Sequence, residues 1–342
     1  MDLHNFTTDL NATFILSVGA FLLAMALTPI YTYFAYRYKF WKNQRSTSTT
    51  GEKLAVFTKL HANKFTRNIP TMAGIIGVVS ITIITLFFNW DRAQTWLPLA
   101  ALVGGAGVGL LDDIINIRGH GSGVAGLRSS LKFAMITLMA IVLGWFFYSR
   151  LGYDSIHIPF VGDWQVGVWI IVIFVAAIVS TSNAVNISDG LDGLAGGLLA
   201  LSFVTFGVIA LLQGHLKIAG FCFTVVGVLL SYLWFNIYPA RFFMGDTGSF
   251  AFGTSLGVVA MLTNTLLLLP VIGILFVIEA GSSLLQITSK RLFHRRIFIS
   301  APIHHHLEAK GWPEAKVTMR FWVIGCIAAF AGLLMALGGG HI

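Results

Sequence analysis

The chain has 342 residues, of which 56% are apolar and only 11% are charged, and its mean hydropathy is +0.81. A soluble protein of this length carries about a quarter charged residues, so this composition excludes a soluble globular fold. The net charge of +8 suggests basic loops at a membrane surface, and we expect no nucleic acid as a partner. Cys222 and Cys326 lie inside apolar runs and form neither a disulfide framework nor a metal-ligand pattern.

Long apolar segments recur along the whole chain. A helix needs about 20 apolar residues to cross a bilayer, and we predict ten spans, at 13–36, 71–89, 97–111, 131–149, 167–183, 194–213, 218–236, 249–266, 268–288 and 318–337. The third is short, and we expect it to continue into the polar residues that follow. The prediction is an all-α polytopic membrane protein in which residues 1–342 form one integral membrane domain.

Basic residues give the predicted spans an orientation. Of the 22 Lys and Arg residues, 19 fall on the side of the loops that follow spans 1, 3, 5, 7 and 9, and only Arg92, Arg150 and Lys217 fall on the other side. The basic side is therefore predicted to be cytoplasmic, with both termini external. Four tryptophans near the external ends of spans are expected to anchor the protein at the interface: Trp90, Trp96, Trp145 and Trp164.

Two polar segments come first in chain order. Lys64 and Thr71 flank Pro70 at the start of a helix, which indicates either a basic membrane-surface loop or contacts from Lys64 and the Thr71 hydroxyl to an anionic ligand. Asp112 and Asp113 end the third span, where acids are unfavourable for a helix C-terminus. Adjacent carboxylates at a membrane boundary need solvent, a partner or a cation, so this pair favours a functional role over a solvated helix end.

Two further segments combine acids, amides and glycines. Asn183, Asn186, Asp189 and Asp192 recur at every third position, which would place neighbours on one helix face beside Gly190 and Gly193. The run Phe235 to Gly248 contains Asn236, Phe243, Gly245 and Asp246, and an Asp between glycines at a helix start is typical of a metal or phosphate site. An ordinary N-cap by Asp246 explains the second pattern equally well.

The polar segment Ser300 to Lys316 contains three consecutive histidines, His304, His305 and His306. We predict a loop here, in which the three side chains point in different directions and do not share one metal ion. They are interpreted as phosphate donors or proton-transfer groups. Glu279, in the middle of span 9, is either functional or a buried packing residue, with Gln286 on the same face as a candidate partner.

The predicted topology gathers these groups at one membrane surface. Carboxylates and amides suit Mg²⁺, and the surrounding Lys, Arg and His suit a polyanionic substrate. The chemistry that this combination predicts is phosphoryl transfer at the cytoplasmic face.

At these residues the chain resembles the polyprenyl-phosphate N-acetylhexosamine-1-phosphate transferases, and within them the phospho-N-acetylmuramoyl-pentapeptide transferase family. The resemblance rests on the runs from Asn183 to Ala195, from Phe242 to Ser249 and from Ala301 to Glu314, the last followed by Arg320-Phe-Trp322. Pro70 to Gly74 is a weaker match, and the likeness covers roughly residues 60–325.

The resemblance implies transfer of phospho-MurNAc-pentapeptide from UDP-MurNAc-pentapeptide to undecaprenyl phosphate, with Mg²⁺ as cofactor and UMP and lipid I as products. It also implies a bacterial inner membrane location. By motif, Asp246 would be the Mg²⁺ ligand, and Asp112 would be the base toward the lipid phosphate or a covalent nucleophile, with Asp113 beside it. His305 would join these catalytic residues, and the substrate-binding residues would be Lys64, Thr71, Lys132, Asn186, Asp189, Asp192, Asn236, Phe243, Gly245, His304 and His306. A homodimer is left open.

Two departures from the family pattern concern the loop after span 3. Asn116 stands where the family usually has Lys, and the following loop is glycine-rich around 120–123. Arg118, Arg128 or Lys132 would have to supply the missing positive charge.

Three other functions compete with this interpretation. A sister transferase would move GlcNAc-1-phosphate to the same carrier, although such relatives generally lack the full histidine run. A transporter would place ionisable groups near the membrane midplane, where only Glu279 fits. A degenerate scaffold homologue is suggested by Asn116.

Overall fold

The computed structural model describes residues 3–41, 68–119 and 126–340. Within these ranges the helices are α1 (Leu3–Arg37), α2 (Gly74–Phe88), α3 (Trp96–Arg118), α4 (Ser129–Ser149), α5 (Ile170–Ser188), α6 (Leu194–Leu212), α7 (Leu216–Asn236), α8 (Gly245–Leu262), α9 (Leu269–Ile272), α10 (Ile274–Phe293), α11 (Ile303–Ala309) and α12 (Glu314–Gly338). Single 3₁₀ turns occupy Gly167–Trp169 and Leu266–Leu268.

The helices agree with the predicted polytopic membrane class. Each of the ten predicted segments is mostly helical, and within the described ranges seven helices are long and apolar enough to cross a membrane. The number becomes eight if the pair Leu266–Ile272 and Ile274–Phe293, bent by 80°, forms one span. Helix α2 has 15 residues, about 22 Å, which is shorter than a hydrocarbon core of about 30 Å. The count of ten and the orientation of the termini therefore stay predictions.

Helix α8 lies at the centre of the bundle. All 18 of its residues are buried, and it packs against α3, α5, α2 and α6. Small residues dominate its sequence, and such residues let helix backbones approach closely in membrane proteins. The first turn of α8 is thereby held against the last turns of α3, where the acid pair lies.

Gly109 of α3 is the closest point of this packing. A Cβ atom at Gly109 would overlap the backbone carbonyl of Asp246 at the start of α8. One turn earlier, a Cβ at Gly105 would come within 2.5 Å of the Thr254 hydroxyl. The absence of side chains at these two positions therefore sets how closely the two acid-bearing helix ends approach.

The prediction of an all-α fold was wrong in one detail. Strands β1 (Ser155–Ile158) and β2 (Gly162–Gln165) form an antiparallel hairpin between α4 and α5, with Ser155 opposite Gln165. His157 stabilises this hairpin, since its Nδ1 lies 2.7 Å from Asp163 Oδ1 on the other strand. Its Nε2 lies 3.1 Å from the carbonyl oxygen of Gly339, which connects the hairpin to the end of α12. The hairpin lies at the end of the bundle opposite the acid pair.

Two local predictions also need correction. The histidines lie on a short helix, α11, and not in an irregular loop. Helix α5 ends at Ser188, so the predicted shared helix face holds for Asn183 and Asn186, whereas Asp189 caps the helix and Asp192 lies beyond it in a turn. The extension of the third span into polar residues is confirmed, because α3 continues to Arg118.

Candidate active site

An acid–base cluster forms where α3, α4 and α8 meet. The Lys132 ammonium lies 3.1 Å from Asp112 Oδ2 and 3.2 Å from Asp246 Oδ2, so one cation bridges two carboxylates from different helices. The backbone N–H of Leu127 also donates to Asp112 Oδ1, at 2.5 Å. The side chains of Lys132 and Asp246 are 14% and 13% exposed, whereas that of Asp112 is 1% exposed. The cluster is thus buried on one side and open on the other.

Asp113 faces α8 and has a different environment. Its Oδ2 accepts the backbone N–H of Thr247 at 2.9 Å and the Thr247 hydroxyl at 2.8 Å. Two hydrogen bonds to one oxygen fix this carboxylate against the first turn of α8. Asp246 is not the N-cap of that helix: Met244 holds the cap position without a side-chain bond. The carboxylate of Asp246 is therefore directed to Lys132.

Backbone pairing brings the segment 70–74 beside the start of α8. The N–H of Phe243 donates to Pro70 O at 2.8 Å, and the N–H of Ala73 donates back to Phe243 O at 3.0 Å. Gly245 has φ +73, and a Cβ there would approach Asp113 Oδ2 to 2.6 Å and Thr71 Oγ1 to 2.8 Å. A left-handed backbone and this crowding both require glycine. Thr71 is thereby held next to the acid pair.

The Thr71 hydroxyl has no hydrogen-bond partner in the described part of the chain, although it is buried. A buried hydroxyl without a partner is costly, so this oxygen is a candidate ligand contact. Phe243 is half-buried beside it and keeps part of its ring accessible.

Asn186 connects α5 to the cluster. Its amide donates to the Ser249 hydroxyl at 2.9 Å, and Ser249 lies one turn beyond Asp246 on α8. Asp189 follows at the end of α5 and is half-exposed. The polar end of α5 therefore borders the same opening as Asp246.

Asp192 and Asn236 hold the chain in place around this opening. Asp192 is 2% exposed, and its Oδ2 accepts the N–H of Ala240 at 3.0 Å. Asn236 accepts the N–H of Gly193 at 2.9 Å and donates to Phe242 O at 2.9 Å. These contacts are to backbone groups on both sides of the site, so burial favours a positioning role for both residues.

A second acid–base pair joins α10 to α11. His304 Nδ1 lies 2.7 Å from Glu279 Oε2, and both side chains are fully buried. On its other edge the imidazole Nε2 contacts Gly190, where a Cβ would overlap it. Glu279, predicted as either functional or packing, therefore supports a histidine that contacts the turn after Asp189. Because the Glu279 side chain is fully buried, its position does not support a transport path.

A row of polar side chains on α10 holds the segment before α11. Gln286 Oε1 accepts the N–H groups of Ile297 and Phe298, both at 3.0 Å, and its Nε2 donates to Phe298 O at 2.9 Å. Ser282 accepts the N–H of Ile303 at 3.0 Å, and Ser289 donates to Arg295 O at 3.0 Å. Together with Glu279, these residues form the α10 polar stripe, spaced three or four residues apart on one helix face.

The other two histidines have hydrogen-bond partners of their own, but the prediction that the three side chains point in different directions is wrong for His304 and His305, whose ring centroids lie 4.1 Å apart. His305 Nδ1 lies 2.8 Å from Glu308 Oε2 in the next turn. His306 Nδ1 accepts the N–H of Ile299 at 3.1 Å. Burial, and then the charge of Lys310, lower the pKa of His306. Its neutral form is the one that can accept this bond.

The predicted site residues from separate segments come together at one end of the bundle. Lys64 lies outside the described residues, as do residues 120–123. Sequence reasoning assigned no role to several partners: Leu127, Thr247, Ser249 and Glu314, whose Oε1 accepts the N–H of Asp192 at 2.6 Å. Thr247 and Ser249 stand within the run that contains Asp246 and could have been inferred from it. The loop amide of Leu127 leaves no such signal.

Comparison with known proteins agrees with this geometry. Residues 95–264, which contain the acids of α3 and α8, match Glycosyl transferase family 4. The chain is 39% identical to a phospho-N-acetylmuramoyl-pentapeptide-transferase of Chloroflexus aggregans, over 96% of this chain and 90% of the relative. It is 37% identical to the protein of that name from Geobacillus thermodenitrificans, over 92% and 94% of the two chains.

These matches define the chain first as a membrane-embedded transferase of the glycosyl-1-phosphate type. More narrowly, the chain belongs to the phospho-N-acetylmuramoyl-pentapeptide transferase family, whose named function lies in peptidoglycan synthesis. The expectation drawn from the motif runs is thereby confirmed at the level of the family.

Proposed function

We propose that this protein transfers phospho-MurNAc-pentapeptide from UDP-MurNAc-pentapeptide to undecaprenyl phosphate, which yields lipid I and UMP. The observation that carries the proposal is the bridging of Asp112 and Asp246 by Lys132 at an opening bordered by Asn186 and Thr71. Two acids and a cation suit a reaction in which a phosphate oxygen is activated and a diphosphate is held. Family membership supplies the substrate class.

The donor set fits Mg²⁺, which would be held by Asp246. Mg²⁺ is usually bound by one or two carboxylates together with substrate phosphates and water. In the described ranges no group of three or more His, Cys, Asp or Glu could hold a metal alone, so the phosphates of the substrate would complete the coordination. When bound, the ion supplies positive charge that stabilises the transferring phosphoryl group.

Asp112 is the proposed base in this reaction. It would take the proton of the lipid phosphate, whose oxygen then attacks the phosphorus attached to the sugar. The bond between the two phosphates of the nucleotide breaks and UMP leaves. Lys132 and the Leu127 amide, both in contact with Asp112, orient the carboxylate and offset its charge. Asp113, fixed by Thr247, holds the two helix ends in register.

The remaining residues are assigned to the nucleotide side. The half-buried Phe243 offers a ring on which a base can stack, and Thr71, next to its backbone partner Pro70, and Asp189 at the end of α5 are the proposed hydrogen-bonding groups. His304 supports the turn at Gly190, and His305 and His306 line the neighbouring helix α11. The excess of basic residues on this side favours the cytoplasmic face of the bacterial inner membrane.

The decisive experiment measures UMP release by the purified protein. With UDP-MurNAc-pentapeptide, undecaprenyl phosphate and Mg²⁺, we expect release of UMP, and Asp246→Ala should abolish it. Asp163→Ala, which removes an exposed carboxylate at the opposite end of the bundle, is the matched control. Release from UDP-GlcNAc instead would overturn the substrate assignment, and no release from either donor would overturn the enzymatic proposal for this chain.

A further inference from the structure

A large cavity lies at the end of the bundle opposite the acid cluster. Its volume is about 720 Å³, and it lies between the start of α3, the end of α4 and the loop before α3. Trp96 opens α3, and Asp112 lies 16 residues further along, about 24 Å away on a straight helix. The cavity and the acid cluster therefore lie near the two boundaries of a hydrocarbon core of about 30 Å.

Two arginines line this cavity. Arg92 and Arg150 are two of the three basic residues that the sequence pattern assigns to this face, and both are exposed. Neither guanidinium has a carboxylate partner in the described part of the chain. The acid nearest to Arg92 in sequence, Asp91, directs Oδ1 to the N–H groups of Ala93 and Gln94, at 2.8 and 2.7 Å. The two positive charges remain available to a ligand.

Aromatic and apolar side chains form the rest of the lining. Trp90 and Trp96 meet edge to face with ring centroids 6.2 Å apart, and each remains more than 40% exposed. Phe146, Leu97 and Leu151 contribute apolar surface to the same lining. Tryptophan rings prefer the headgroup level of a bilayer, whereas apolar side chains suit acyl chains. The lining thus combines cationic, aromatic and apolar side chains, which suit the phosphate, the headgroup level and the acyl chains of a phospholipid.

We propose that this cavity binds an anionic phospholipid from the leaflet opposite the acid cluster. The lipid phosphate lies between Arg92 and Arg150 as a charge-assisted contact, and the first methylene groups of an acyl chain lie against Phe146. A volume of about 720 Å³ falls within the usual range for small-ligand sites of about 300–1,000 Å³. This lipid is distinct from the acceptor in the proposed reaction, whose phosphate must reach the other end of the bundle.

The test is native mass spectrometry of the purified full-length protein released from nanodiscs that contain equal amounts of phosphatidylglycerol and phosphatidylcholine. We expect wild-type protein to retain phosphatidylglycerol selectively. Each arginine near a charged lipid surface contributes roughly fivefold in affinity, so R92Q/R150Q should bind phosphatidylglycerol about 25-fold more weakly. Lys217→Gln removes the third basic residue of this face, outside the cavity, and should leave retention unchanged.

Three results would overturn the proposal. Equal retention of phosphatidylglycerol by the double variant and wild type would remove the role of the arginines. An equal loss of phosphatidylglycerol in Lys217→Gln would show that the overall positive charge of this face, and not the cavity, causes the retention. Retention of phosphatidylcholine at the level of phosphatidylglycerol would remove the selectivity for a negative headgroup. UMP release and thermal unfolding in detergent, unchanged in all three proteins, would exclude misfolding as the cause.

Discussion

Two acid–base clusters at the same end of the bundle contain similar residues but differ in their exposure to solvent. In the first, Lys132 bridges Asp112 and Asp246, and two of the three side chains keep more than a tenth of their surface exposed. In the second, Glu279 and His304 are fully buried and contact each other at 2.7 Å. In an accessible cluster the lysine ammonium can be displaced from the carboxylates by a metal ion or can contact a substrate phosphate. A fully buried pair contacts only the protein around it. Accessibility, more than residue type, therefore distinguishes the cluster that we propose to be catalytic from the pair that we propose to be structural.

The largest effect should come from the accessible cluster. Asp246→Asn keeps the size of the side chain but removes its charge, so we expect UMP release to fall by at least about a hundredfold. Asp163→Asn should retain full activity, because Asp163 contacts only the hairpin histidine among the described residues. A radiolabelled donor gives the rates. Retained activity in Asp246→Asn would mean that the acid cluster is not the reacting centre.

Removal of the bridging cation should produce a metal-dependent change in stability. In Lys132→Gln, Asp112 and Asp246 lose the charge that offsets both, so we expect a lower melting temperature without Mg²⁺. Bound Mg²⁺ should restore the melting temperature, because an ion at a hundred times its Kd adds about 2.7 kcal/mol to the free energy of unfolding. The exposed Arg128→Gln is the control. If Mg²⁺ raises the melting temperature equally in both variants, then it does not bind between these acids.

Substitution in the fully buried pair of Glu279 and His304 should affect stability more than activity. Glu279→Ala leaves a buried imidazole without its carboxylate, which costs about 3 kcal/mol for a buried pair. Glu279→Gln keeps an acceptor and should cost less. Glu308→Ala, at the histidine pair of similar geometry but greater exposure, should cost about 1 kcal/mol. Chemical unfolding in detergent ranks the three. A Glu279→Ala protein as stable as Glu308→Ala would contradict the distinction based on burial.

The smallest expected effect is the pH dependence of the hydrogen bond between Ile299 and His306. The pKa of His306 is lowered, so its neutral form is favoured in the fold. The Ile299–His306 bond should therefore be present above about pH 6.5 and be lost as pH falls through the lowered pKa. Loss of this bond costs about 1 kcal/mol. The protection factor of the Ile299 amide against hydrogen exchange should fall at low pH in wild type but not in His306→Phe. The same fall in His306→Phe would assign the effect to another group.

The sequence predicted the composition of the accessible cluster better than that of the fully buried pair. Adjacent acids at a span end and an Asp between glycines indicate chemistry because such groups are costly in a membrane, and the charge asymmetry placed them at one surface. Glu279 and His304 lie 25 positions apart in the sequence, and no local periodicity relates them. Their contact depends on how α11 packs against α10, which is a tertiary feature.

The hairpin and the α11 helix were missed for related reasons. Four-residue strands and a seven-residue helix are too short for hydrophobic periodicity to define. The span positions, in contrast, follow from long apolar runs and agree with the helices to within a few residues over most of the chain. Local composition determines the long helices, whereas contacts between distant segments determine the short elements.

The contact of Gly109 with the carbonyl of Asp246 has a genetic consequence. A methyl group at this position would push two helix ends apart and separate Asp112 from Asp246 while every ionisable residue stayed in the chain. A collection of inactive alleles should therefore include changes at this glycine, with full-length protein still inserted in the membrane. Because the atoms that the added methyl group would meet are backbone atoms of Asp246 and Thr247, smaller side chains on α8 should not restore activity.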